Sequence, residues 1–212
     1  QTQIQSTSQS QPQTPSRAAN HSPHSDGIDP TTADEFPQSE VSRLTVTGLT
    51  KFAQGNFGGA ASEFGKAITI VPQRGILYLQ RGLARLEQRD FTGALDDFNK
   101  ADQLDKANKV HILICRGRAY AGLKRLDDAL AQLNKAVAAD QKMPLAFITR
   151  ADIYLSLGED DKALADLERA LKLDPEQAKA YLLRARYCKL KKNNRLSLQD
   201  FNKAVTLDSN LI

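Results

Sequence analysis

The chain has 212 residues with a net charge of +4, and it contains no apolar run of 18 residues, so we predict no membrane-spanning segment. Residues 1–40 hold one arginine and five acidic residues, which leaves a net charge of +8 on residues 41–212. A solvated helical face would explain this modestly basic surface, and so would an acidic partner.

Residues 1–40 are rich in Gln, Ser, Thr and Pro. A segment with so few large apolar residues cannot offset the entropy lost on ordering. We therefore predict a disordered leader or linker. Its large apolar residues are Ile4, Ile28 and Phe36.

The chain begins with Gln1 and has no initiating methionine, as in a trimmed chain or a mature chain that has lost a targeting segment. We expect a soluble protein, and both an exported or membrane-tethered chain and a cytoplasmic one stay open. His21 and His24 are close in sequence, but two histidines in a polar segment without a nearby cysteine do not predict a metal site.

From residue 41 onward, small and large residues recur at intervals of 34, 35, 34 and 34 residues. One register of small residues comprises Ala60, Ala94, Ala129, Ala163 and Ser197. A second comprises Gly48, Gly82, Gly117, Ala151 and Ala185. Large apolar residues follow the first register at Phe64, Phe98, Leu133, Leu167 and Phe201.

Within each copy the apolar residues fall at helical spacing on both sides of a short polar break, which predicts two helices and a tight turn. A small residue in the first helix lets the large residue of the second pack closely against it. We place the five copies at residues 41–74, 75–109, 110–143, 144–177 and 178–211.

This period and this pattern of small and aromatic residues resemble the tetratricopeptide repeat family. The agreement is strongest in QGNFGGAASEFGKAITIVP and in LGEDDKALADLERALKLDP, and it is weaker in the fifth copy, KKNNRLSLQDF. The resemblance implies an all-α fold, a right-handed α-solenoid of helix-turn-helix repeats in residues 41–212 behind the disordered leader.

One charge pattern repeats with the copies. Arg81, Arg150 and Arg184 are each followed sixteen residues later by an aspartate, whereas Arg116 is followed by Gln132. We predict partly buried pairs that link the two helices of a copy and fix their register. The aspartates are Asp97, Asp166 and Asp200.

The sequence contains no arrangement that predicts catalysis. His111 is the one histidine of the repeats, and no glycine-rich phosphate loop or triad spacing is present. Cys115 and Cys188 fall in different copies, too far apart for a disulfide, so we predict unpaired thiols. We therefore predict no enzymatic activity, no cofactor and no metal site.

In the tetratricopeptide repeat family, the first helices line a concave groove that binds a peptide or protein segment. The resemblance implies an apolar start and a largely cationic finish to this groove, and hence a ligand with apolar residues followed by acids. Nucleic acid is not expected. The apolar residues are Leu49, Phe52, Ile76, Leu79, Leu83 and Leu86. The later ones are His111, Arg118, Asp152, Lys179, Arg186 and Lys189.

Some family members clamp a chaperone's terminal carboxylate with Lys and Asn. Thr45, Leu49 and Gln80 stand at the corresponding positions, which argues against that ligand.

We interpret the chain as a protein interaction scaffold or adaptor. Two alternatives stay open: an assembly factor that acts through its end surfaces, and a regulatory module of an enzyme complex. No capping helix follows the fifth copy before Ile212, so we expect a second copy of the chain or a partner to cover its apolar end, unless the natural protein continues. The residues of this end surface are Leu198, Phe201, Val205 and Leu211.

Overall fold

The computed structural model describes the backbone of residues 30–209 and the side chains of residues 38–209. This part of the chain contains ten α-helices and no strand. The helices are α1 (Pro30–Ala53), α2 (Phe57–Ile70), α3 (Gly75–Glu87), α4 (Phe91–Leu104), α5 (Lys109–Gly122), α6 (Leu126–Ala139), α7 (Pro144–Leu157), α8 (Asp160–Leu173), α9 (Ala178–Leu190) and α10 (Asn194–Leu207).

Consecutive helices pack as hairpins, α1 with α2 through α9 with α10, and each hairpin packs on the next. The predicted all-α solenoid is therefore confirmed. None of the helices in residues 30–209 is both long and apolar enough to cross a membrane.

The predicted boundary between leader and repeats falls inside α1, because this helix begins at Pro30 rather than near residue 41. Proline suits the first position of a helix, where its fixed φ angle is already helical and its missing N–H is not needed. The prediction of disorder for residues 1–29 lies outside the described part of the chain.

Close packing of small against large residues holds each hairpin together, as the repeat pattern predicts. A Cβ atom added to Gly82 would lie 2.6 Å from Cε1 of Phe98. The corresponding atom on Gly117 would lie 2.7 Å from Cγ of Leu133. The large partners are fully buried. A side chain at these glycines would therefore force the two helices apart.

Each turn inside a hairpin contains one residue with a left-handed backbone, directly before the N-cap of the second helix. This residue is Gly55 in the first hairpin and Gly158 in the fourth. The other three turns use non-glycine residues, whose Cβ atoms are strained in this conformation. They are Arg89, Lys124 and Lys192, with φ angles of 66°, 61° and 58°.

Candidate partner-binding groove

The first helices of the hairpins lie on the inner side of the solenoid. Helices α3, α5, α7 and α9 contact one another in series, whereas successive second helices do not make contacts of that extent within residues 30–209. The stack is therefore tighter on the side of the first helices. Their exposed side chains line a concave face, which we call the groove.

Arginine–aspartate pairs join the two helices of three hairpins, as the sequence predicts. Arg150 donates from Nε to Oδ2 and from Nη2 to Oδ1 of Asp166, both at 2.7 Å. Arg184 binds Asp200 in the same way at 2.7 and 2.8 Å. The aspartates are buried, and their hydrogen bonds raise the pKa of Arg150 and of Arg184 above the usual arginine value.

The first hairpin contains an equivalent pair that we did not predict, between Lys51 and Glu63 at 2.6 Å. Hydrogen bonds from Lys51 and Lys66 lower the pKa of the Glu63 carboxyl. Glu63 stands at the aspartate position of the repeat, one period before Asp97, so alignment of the acids alone would have found it. The cation was missed because it comes from the next turn of the first helix.

The third hairpin departs from the pattern because Gln132 replaces the aspartate. Arg116 turns instead toward the preceding hairpin, where Nη2 lies 3.2 Å from Oδ2 of Asp102 and 3.4 Å from the carbonyl oxygen of Phe98. Its Nε is buried without a hydrogen-bond partner. This arginine therefore links two repeats rather than the helices of one.

Helices α1 and α3 form the apolar part of the groove. A cavity of about 140 Å³ lies between them, and its lining brings together three predicted residues, Leu49, Phe52 and Leu83. Phe64 and Gln80 complete the lining. Leu49 is 46% exposed and accessible to a partner, and Phe52 is held by an edge-on contact with the Phe57 ring.

Three further apolar residues are placed differently from the cavity lining. Leu79 and Leu86 are each only 5% exposed and belong to the core of the second hairpin, so they offer little surface to a partner. Ile76 is exposed at the start of α3. Val46, which the repeat pattern does not point to, is exposed one turn before Leu49 on α1.

The cationic part of the groove is smaller than the sequence suggests. Arg118 reaches Glu87 on the preceding first helix at 2.9 Å, and Lys179 reaches Asp152 at 3.7 Å. These pairs cross between neighbouring repeats and neutralise two of the predicted cations. Within residues 38–209, the exposed side chains Arg186 and Lys189 make no ion pair. His111 is exposed at the start of α5.

The predicted end surface lies on α10. Phe201 is 38% exposed, whereas Phe64 and Phe98 at the same repeat position are fully buried by the hairpin that follows them. Leu198 is exposed and Val205 is half-buried. Leu211 lies outside the described residues. Within the described chain, α10 therefore presents apolar side chains that its counterparts bury.

The two cysteines are unpaired and buried, as predicted. Burial raises the pKa of the Cys115 thiol to about 11, and burial also raises that of Cys188. A thiol with a raised pKa is a poor nucleophile, which favours a packing role. No group of three or more His, Cys, Asp or Glu side chains in residues 38–209 is arranged to hold a metal ion.

A solenoid of helical hairpins with a groove along its first helices defines a helical repeat protein. Two family models described as tetratricopeptide repeat match residues 46–109 and 178–211, and one described as TPR repeat matches residues 151–186. The chain is a tetratricopeptide repeat protein.

Among known proteins, tetratricopeptide repeat protein 36 of Homo sapiens is 35% identical over 72 residues. The match spans 32% of this chain and only 38% of that relative, so it covers a shared repeat region rather than the whole relative.

Solved structures share the fold at lower identity. A thermophilic TPR protein in Thermus thermophilus superposes with a TM-score of 0.70 at 21% identity, over 80% of this chain and 92% of that one. YrrB, described as a TPR protein with an unusual peptide-binding site, superposes with a TM-score of 0.55 at 19% identity, over 85% and 93% of the two chains.

Proposed function

We propose that this protein is a non-enzymatic interaction scaffold that binds an extended segment of a partner protein in its groove. The observation that carries the proposal is the apolar cavity between α1 and α3, where Leu49, Phe52 and Leu83 meet at the surface. Burial of one large apolar side chain contributes about 1.5–3 kcal/mol, so a few such contacts supply most of the affinity of a peptide.

The charges of the groove favour a partner segment with acidic residues. Arg186 and Lys189 are exposed on α9, at the far end from the cavity. Exposed charges of this kind orient a ligand and raise its association rate more than its affinity. The ligand that fits the groove is therefore apolar toward α1 and acidic toward α9. YrrB has the same fold and is described by its peptide-binding site, which agrees with a groove function.

Hydrogen exchange tests the location of binding. Random peptides of about 16 residues, long enough to span the groove in extended form, are displayed on phage and selected against the full chain. We expect the best synthetic peptide to protect amides of α1, α3 and α9. Protection confined to α10 would overturn the groove proposal.

The partner itself is identified by affinity capture with the full chain and mass spectrometry, with Leu49→Glu as the matched bait. A partner of the groove is captured by the parent and lost with the variant. A partner enzyme would assign the scaffold a regulatory role in an enzyme complex.

A second candidate function is assembly through the end surface of α10, which the exposure of Leu198 and Phe201 favours. A patch that pairs with itself closes as a two-fold dimer. Sedimentation equilibrium of the full chain should then show a dimer that Leu198→Glu converts to a monomer. A parent chain that is monomeric at all concentrations would contradict self-association and leave docking of a different protein as the role of this surface.

A further inference from the structure

The cavity between α1 and α3 contains a buried polar atom that nothing in the protein satisfies. Oε1 of Gln80 is shielded from solvent and has no hydrogen-bond partner, and Gln80 lines the same cavity as Leu49, Phe52 and Leu83. A buried oxygen without a donor destabilises the free protein, because it has lost water and gained nothing in return. Such an atom in an otherwise apolar cavity marks a place where a ligand supplies the missing donor.

The size of the cavity limits what enters it. Its volume of about 140 Å³ is close to that of an engineered apolar cavity that binds one benzene molecule, so it accepts a single Leu or Phe side chain. Four of the five lining residues are apolar, and none is charged. A charged or strongly hydrated side chain would lose its water without compensation there.

We infer that Gln80 reads the main chain of the bound segment: the ligand inserts one Leu or Phe side chain into the cavity, and a main-chain N–H beside that residue donates to Oε1 of Gln80. This inference rests on the proposed groove function and deepens it. An extended segment carries N–H groups at every residue other than proline. The recognition element is therefore a large apolar residue followed by a residue other than proline.

The distance along the groove sets the spacing to the acidic end of the ligand. Three steps between first helices separate α3 from α9, and contacting helices lie about 8–10 Å apart, which gives roughly 24–30 Å. An extended chain advances about 3.3 Å per residue. The acidic residue that reaches Arg186 or Lys189 therefore stands about eight residues from the apolar anchor.

A double-substitution experiment isolates the hydrogen bond. The probe is the synthetic peptide selected from the phage library, made once with normal amides and once with an ester in place of the amide that follows the anchor residue. The ester keeps the side chain and removes one N–H donor. Both probes are titrated into the full chain and into the Gln80→Met variant, which keeps the side-chain length and removes the acceptor.

We expect the ester to bind the parent chain about five- to tenfold more weakly than the amide, which is the size of one net hydrogen bond. Against Gln80→Met the two probes should bind equally, because the acceptor is gone. The variant should also melt no lower than the parent, since it loses an unsatisfied buried oxygen. A purely structural glutamine would instead lower the melting temperature on substitution.

Two outcomes separate this inference from the function on which it rests. If the peptide loses affinity for Leu49→Glu but the ester loses equally against parent and Gln80→Met, the groove stands and the role of Gln80 is wrong. If the peptide binds Leu49→Glu as tightly as the parent, the groove function fails and the inference fails with it.

Discussion

Arg81 and Asp97 lie on the two helices of one hairpin and are joined by two nearly parallel hydrogen bonds, from Nη2 to Oδ1 at 2.6 Å and from Nε to Oδ2 at 3.0 Å. Arg85 adds a third bond to the same carboxylate at 2.8 Å. Asp97 is only 2% exposed. The side chain therefore collects three charge-assisted hydrogen bonds in a place that water hardly reaches.

We predict that Asp97→Ala lowers the free energy of unfolding by about 2–3 kcal/mol, because two guanidinium groups lose their partner. The loss stays below that of a fully buried pair, since Arg81 and Arg85 are 21% and 30% exposed and can reach water. Urea unfolding measures the change, and Asp96→Ala on the exposed neighbouring position is the control.

Peptide binding by the folded fraction of Asp97→Ala should be unchanged, and Asp166→Ala should behave in the same way. A variant that unfolds like the parent but fails to bind would place the pair in the binding site instead of the framework.

The third hairpin offers the reverse experiment. Gln132→Asp places a carboxylate opposite Arg116, whose Nε has no partner. We predict a gain of about 1 kcal/mol in the free energy of unfolding, the scale of one hydrogen bond to a charged group after desolvation. Gln132→Asp combined with Arg116→Leu serves as the control and should show no gain. An equal gain in both variants would mean that Arg116 does not take up the new partner.

The strained turns predict stabilising substitutions. A left-handed non-glycine residue costs roughly 1–2 kcal/mol, and glycine returns part of this through its greater freedom in the unfolded chain. We therefore expect Lys124→Gly to raise the free energy of unfolding by about 0.5–1 kcal/mol, since the exposed Lys124 side chain contributes little packing of its own. Thermal melts should show the opposite sign for Gly158→Ala. A loss of stability in Lys124→Gly would refute the strain argument.

The raised pKa of Cys115 predicts slow alkylation. At pH 8 a thiol with a pKa of about 11 has roughly a hundredfold less thiolate than one with the ordinary pKa of 9.0. Iodoacetamide should label Cys115 in the native chain at the rate of local opening, and immediately in urea. Fast native labelling would contradict its burial.

The same thiol gives stability a definite pH dependence. The folded state holds the proton more tightly than the unfolded state, so ionisation of the unfolded chain removes stability as the pH rises above about 9, and the contribution levels off near 11. Cys115→Ala should lack this alkaline loss, and denaturant unfolding between pH 8 and 11 measures it.

Much of the framework is predictable from sequence because the repeat puts equivalent residues in equivalent places. The period identifies Gly82 against Phe98 and pairs Arg150 with Asp166, and both contacts are present in the structure. The start of α1 at Pro30 was missed because the composition of the first 40 residues carries no apolar periodicity.

The groove was less predictable, because exposure depends on neighbours that a single register does not reveal. Leu79 and Leu83 lie on the same helix, yet the core of the second hairpin takes up Leu79 and leaves Leu83 at the cavity. Arg118 carries a predicted free charge that Glu87 neutralises from the next repeat. The unsatisfied oxygen of Gln80 has no sequence signal, since it follows from the lack of a donor in three dimensions.

The charges of α9 lead to a further prediction about salt. Arg186→Glu should weaken binding of the selected peptide and flatten the dependence of its affinity on ionic strength, because the attraction it removes is screened by salt. Lys135→Glu on the exposed surface of α6 changes the net charge equally and serves as the control. Equal effects of the two variants would assign the salt dependence to net charge alone.

The central claim is that the cavity between α1 and α3 anchors the partner, and the affinity of the selected peptide for Leu49→Glu tests it most directly. Leu49 is largely exposed, so the change leaves the fold intact while it places a charge in the cavity. Ile70→Glu, a similarly exposed apolar position on α2, is the matched control. Calorimetric titration should show binding abolished by Leu49→Glu and preserved in Ile70→Glu, whereas equal affinity of the parent and both variants would contradict the account.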